Sequence, residues 1–253
     1  MTNRVLQKAS VIAVLLGHEA KGIAKGKALL TAAVTALAPA LVYGWLANRI
    51  NTPTSQLHLA YGAGIFAMWT GYLFRVSYLL YLEDMLGTLD TIRLSSSSIF
   101  LVTYSKCWGL LIISMPRGIV AVAITLTMID SDRGFAHPNF WLAVLLLLIS
   151  LQAVALLLSP LRIYVAVREG ALNSLIPATA ILSAVLFPAD RMPDILYWVS
   201  IILPIRWAME ALTAAAIGKP MVGPATTAAG LIVLYYLSAV IIYQRVEKRY
   251  AHE

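Results

Sequence analysis

The stretch Pro188–Pro220, PADRMPDILYWVSIILPIRWAMEALTAAAIGKP, decides how many times this chain crosses a membrane. Pro193 and Pro204 enclose only about ten residues, most of them apolar. A run of that length suits a re-entrant or interfacial piece better than a full crossing, which needs about 20 residues. Residues 206–217 then read as a second short helix, so 193–217 becomes a re-entrant pair. The rival reading is one straight span through 193–215.

Composition makes the solvent lipid. Of 253 residues, 60% are hydrophobic and 12% charged, with mean hydropathy +0.80. Soluble domains carry about 25% charged residues, and a soluble fold of this length could not hide so much apolar surface. The net charge of +7 sits at the chain ends and in short loops. It reads as a topology signal and a contact for anionic lipid rather than for nucleic acid. One cysteine, Cys107, leaves no internal disulfide to form.

Spans are expected at about 28–47, 57–82, 106–129, 140–161, 171–187 and 221–243. With six of them both termini are cytoplasmic, and the Arg245, Lys248 and Arg249 cluster lies inside together with Arg162, Arg168 and the basic N-terminal residues. A seventh span would put that cluster outside, against the positive-inside rule. Val5, Ala9, Ile12, Leu16 and Ile23 recur at helical spacing among Arg4, Lys8, Lys21 and Lys25. Residues 4–25 therefore read as a helix lying in the membrane interface, or else as a frayed basic tail. Its apolar core is too short for a secretory signal.

Between the second and third spans comes Tyr81–Phe100, YLEDMLGTLDTIRLSSSSIF. Met85, Leu89 and Ile92 fall on one helical face, and Asp84, Thr88 and Thr91 on another. Glu83 and Asp84 open the segment and Arg93 closes it, as a helix dipole prefers. Residues 83–94 thus read as a short amphipathic helix on the cytoplasmic side. Acidic residues suit an anionic leaflet poorly, so Glu83, Asp84 and Asp90 look like contacts for a protein. The serines at 95–98 can cap the helix that follows.

Here the pattern resembles a known family. EDMLGTLDTIRLSSSS (83–98) is similar to the segment after the second span in the ABC-2 family of ABC transporter permeases, where an acidic residue precedes Gly-Thr-Leu-acid and a small polar stretch. FPADRMPDILYWVSIILPIRWAMEAL (187–212) resembles that family's proline-punctuated pair of short helices before the last span. Met85 and Leu86 stand where the family often carries Glu and Arg. The resemblance implies an all-α integral membrane fold: six transmembrane helices, an N-terminal interfacial helix, a coupling helix and a re-entrant pair. It implies that Glu83, Asp84, Gly87, Thr88, Leu89, Asp90, Ile92 and Arg93 engage a separate ABC ATPase dimer. It also implies pairing with a second permease chain and export of an amphipathic drug or antibiotic-like, lipid or glycoconjugate substrate.

No G-x-x-x-x-G-K-[ST] occurs in these residues. Gly22–Ala28, GIAKGKA, has the wrong spacing, with Ala28 where a Mg²⁺-binding hydroxyl would stand. ATP and Mg²⁺ are therefore expected on the partner, with no cofactor in this chain. His18, His58, His137, His252 and Cys107 lack metal-ligand spacing, and no nucleophile elbow appears.

A handful of residues could line a substrate path. Arg117 lies deep in the third span, where a charge is costly and functional by default. A water-filled vestibule, or carbonyls freed by Pro116, would account for it equally. Arg75 reads as snorkelling to headgroups. Trp69 and Tyr72 could stack on a solute or simply pack. Trp198 and Trp207 suit an interfacial aromatic belt or an exit. Glu210 could pair with Arg206 at i, i+4 or gate. The rival function, an ion-coupled carrier or channel, would want acidic residues at mid-membrane, and the clear spans contain none.

Overall fold

The computed structural model describes residues 27–50, 52–88, 91–92, 98–129, 137–160 and 177–250. The interfacial helix expected at 4–25 lies outside them, as do residues 171–176 at the start of the fifth span. Among the described residues the fold is helical, without strands.

Seven α-helices follow in order: α1 Lys27–Ala47, α2 Pro53–Met85, α3 Ile99–Met128, α4 Pro138–Leu158, α5 Asp194–Ser200, α6 Pro204–Ala216 and α7 Val222–Tyr250. Residues 177–182 form a further helical stretch ahead of α5. Four helices, α2, α3, α4 and α7, are long and apolar enough to cross a membrane. Pro39 and Pro116 sit inside α1 and α3 without ending them, as membrane helices tolerate.

Two helices outrun their expected bounds. Helix α3 starts at Ile99 rather than near 106. Lys106, the charge that suggested the later start, is paired with Glu83. The helix opens instead on two caps: Ser98 Oγ accepts from the Leu101 amide at 3.2 Å, and the Glu247 carboxylate from the Ile99 amide at 2.8 Å. Helix α2 runs through Met85. At 1.5 Å per residue it spans about 50 Å, more than a whole bilayer.

The fifth helical stretch stops at residue 182, short of the expected 187. Ala184 adopts a left-handed φ of 53°. The Val185 amide bonds back to the Ala180 carbonyl and the Ala184 amide to that of Ile181. This pair of bonds makes a Schellman stop, with Ala184 in the place glycine usually fills. The loop beyond presses on α2, where a side chain at Gly62 would strike the Val185 carbonyl.

Helices α5 and α6 meet at 94°. Neither arm, about 10 and 20 Å long, reaches across a 30 Å hydrocarbon layer. The bend rules out one straight span through 193–215; a broken span and a re-entrant pair over 193–217 both have this shape.

Helices α1, α2 and α3 pack together, and so do α4, α6 and α7. Backbones also approach closely where α2 and α3 cross. A Cβ on Gly118 would meet the Gly64 carbonyl oxygen, and one on Gly64 would overlap Val122. Small residues allow such approach in lipid, where helix association depends on tight packing. Thr125 Oγ1 donates to the Ala40 carbonyl across the α1–α3 contact at 3.3 Å. The main core gathers Trp69, Tyr72, Leu111, Leu151, Leu156, Met209 and Tyr243. Val233, Leu234, Leu237 and Ile241 on α7 stay exposed, as lipid or a second membrane chain requires.

Candidate functional site

At the Met85 end the geometry corrects one expectation. Glu83 and Asp84 do not open a new helix. They form the last turn of α2, because nothing before Gly87 breaks the helical pattern. The break falls at Leu86 and Gly87, and Gly87 takes φ 68°, a conformation that glycine adopts without penalty. The Thr88 hydroxyl folds back onto the Glu83 carbonyl at 3.1 Å and also reaches its carboxylate.

Carboxylates at a helix C-terminus oppose the dipole, and the ion pair of Glu83 with Lys106 offsets this while tying α2 to α3. Asp84, Met85, Leu86, Gly87 and Thr88 are exposed. Met85 and Ile92 therefore do not share one face: Met85 points out, and Ile92 packs on the main core. Leu89, Asp90 and Arg93 lie outside the described residues. Glu247, which caps α3 beside this segment, was not among the expected site residues. Its only sequence signal is an acid within the basic QRVEKR run.

Within the bundle, Trp69 and Tyr72 are not free to meet a solute. Both are buried. Trp69 donates through Nε1 to Thr179 Oγ1 at 3.2 Å. The Tyr72 hydroxyl donates to Gln152 Oε1 at 2.6 Å, and Gln152 Nε2 in turn to the Tyr104 carbonyl at 3.1 Å. This chain of bonds links α2, α4 and α3, so packing rather than a path explains both residues. Arg117 is half-buried. Its guanidinium lies over Gly71 of α2, where any side chain would overlap it.

At the opposite end, Arg206 holds the bent pair of α5 and α6. It is 2% exposed. Its Nη1 donates to Ser200 Oγ at 2.7 Å and to the Tyr197 carbonyl at 3.2 Å, and its Nε to Glu210 at 3.2 Å. The guanidinium also lies 4.3 Å from the Tyr197 ring centroid and 4.8 Å from that of Trp207. The spacing of Arg206 and Glu210 gave their pairing, but not that Arg206 is buried or that it grips α5. Trp207 Nε1 donates to the Ile201 carbonyl at 2.9 Å, inside the bend. Trp198 projects outward, 69% exposed. Glu210 borders a recess of about 320 Å³ shared with Thr54, His58, Asp190, Thr213 and Lys219.

Helices of this length, with apolar outer surfaces, make the protein a multi-pass membrane protein. The family model for the ABC-2 type transporter matches residues 11–217; the chain belongs to this family and is a permease subunit of an ABC transporter. No curated protein matched the sequence.

Proposed function

We propose that the chain is the membrane subunit of an ATP-driven exporter, assembled from two permease chains and a separate ATPase dimer. The observation carrying this reading is the Met85 end of α2. A helix longer than the bilayer leaves it with Leu82, Met85 and Leu86 about half or more exposed beside Glu83 and Asp84. Apolar and acidic groups side by side suit a protein groove better than anionic headgroups. The segment from Glu83 to Arg93 is then the coupling element, set on a stiff rod and clamped to α3.

In this reading the chain crosses the cell membrane six times. The Met85 end and both termini face the cytoplasm, and α5–α6 enter from the outer face. Closure of the ATPase subunits displaces the coupling elements, and the bundle turns from inward-open to outward-open. The cargo is an amphipath of drug, antibiotic, lipid or glycoconjugate type. Arg117 faces its path, with Trp198, Trp207 and Glu210 near the exit.

The test is co-expression with candidate ABC ATPase subunits, co-purification, and ATP-dependent uptake of a fluorescent amphipath into inverted vesicles. Uptake without nucleotide, or ATP hydrolysis by this chain alone, overturns the proposal.

A further inference from the structure

Two arginines, Arg117 half-buried on α3 and Arg75 exposed on α2, lie within the middle part of those helices' length. The midpoint of α3 falls near residue 113 and that of α2 near residue 69. At 1.5 Å per residue the Arg117 backbone lies about 5–6 Å from mid-helix. Its guanidinium has come down over Gly71, about 3 Å beyond the midpoint of α2 on the Met85 side. That leaves roughly 10 Å of hydrocarbon to the nearer headgroup layer, half of a layer about 30 Å thick being 15 Å. Arg75 is one turn from Gly71 on α2. Side chains leave a helix tilted toward its N-terminus. Because α2 and α3 are antiparallel, Arg75 and Arg117 set out toward each other.

Among the described residues no acid compensates them. None of the chain's 12 carboxylates belongs to α1, α3 or α4, or to α2 before Glu83, and Glu83 is committed to Lys106. Among the described residues neither arginine forms an ion pair. A lone charge at the depth of Arg117 is costly, and a like charge one turn away does nothing to offset it. Glycine at position 71 keeps open the space that Arg117 occupies.

We propose that Arg117 and Arg75 form a binding site for an anionic group, phosphate or carboxylate, carried on an apolar body. Guanidinium groups bind such oxyanions through paired, charge-assisted hydrogen bonds. Only an apolar body brings an anion to this depth. Calling the ligand cargo rests on the exporter reading; the binding itself does not.

The test uses the full chain in dodecyl maltoside, with bound amphipaths counted by native mass spectrometry. Dodecyl phosphate is expected to bind, and dodecyltrimethylammonium to bind at least tenfold more weakly. Arg117→Gln and Arg75→Gln should each weaken dodecyl phosphate at least tenfold with the thermal midpoint kept, and Arg117→Lys should retain part of the affinity. Competition by phosphatidylglycerol but not phosphatidylcholine identifies a bilayer lipid as an occupant. Binding without such competition assigns the site to free amphipaths. Equal binding of the two dodecyl probes, or unchanged affinity in the double Gln variant, overturns the site. Binding in a chain that engages no ATPase would leave the site standing and remove the exporter reading.

Discussion

His58 Nε2 lies 2.8 Å from the carbonyl oxygen of Ala184, joining α2 to the turn that stops the preceding helix. The same ring reaches Thr213 of α6 through Nδ1 at 3.3 Å. One buried imidazole thus fastens α2, the turn at Ala184 and α6. His58→Leu leaves the Ala184 carbonyl without its donor, at a cost of about 1–3 kcal/mol. The expected result is a thermal midpoint several degrees lower in detergent, with correct membrane insertion.

Arg206 and Glu210 should differ sharply despite being partners. Arg206→Leu removes two buried hydrogen bonds to α5 and two ring contacts, an expected loss of about 2–4 kcal/mol. Glu210→Gln touches a pair whose acid is 31% exposed and should cost under about 1 kcal/mol. Chemical denaturation followed by tryptophan fluorescence separates them, since Trp198 and Trp207 report on this bend.

At the other end, Gly87→Ala meets no neighbouring atom; its cost is the left-handed backbone alone, about 1 kcal/mol. Gly87→Pro also removes the amide bonded to Asp84 and cannot reach a positive φ. Transport should survive the alanine in part and vanish with the proline. Asp84→Arg should release the partner's ATPase from control by cargo while the chain still inserts. Vesicle uptake and ATPase assays on the same preparations read both effects.

Tyr72→Phe tests whether that residue is packing or path. The loss of its bond to Gln152 should lower stability by about 1–2 kcal/mol and leave the apparent cargo affinity of the assembled transporter unchanged. A shift in affinity at constant stability would return Tyr72 to the path.

Much of the frame could be read from one dimension. Lipid demands long uncharged runs, so α2, α4 and α7 announced themselves, and the prolines at 193 and 204 marked two arms each too short to cross alone. Pairings across the fold could not be read that way. Lys106 looked like a span boundary because its partner Glu83 stands on another helix, and Glu83 looked like a helix start for the same reason. Helical spacing offered Trp69 and Tyr72 to a solute and to the core alike; only the positions of Thr179 and Gln152 decide between them. The grip of Arg206 on Tyr197 and Ser200 exists only once the chain has turned through the bend at Ile201–Leu203.

The crossing at Gly64 and Gly118 sets a mechanical ratio. Two rods pressed backbone to backbone have a fulcrum there, and α2 extends about 31 Å from it to Met85 but only about 16 Å to Pro53. In the proposed exporter, rocking about that point would turn a push at the long arm into roughly half the travel, in the opposite direction, at the Pro53 end.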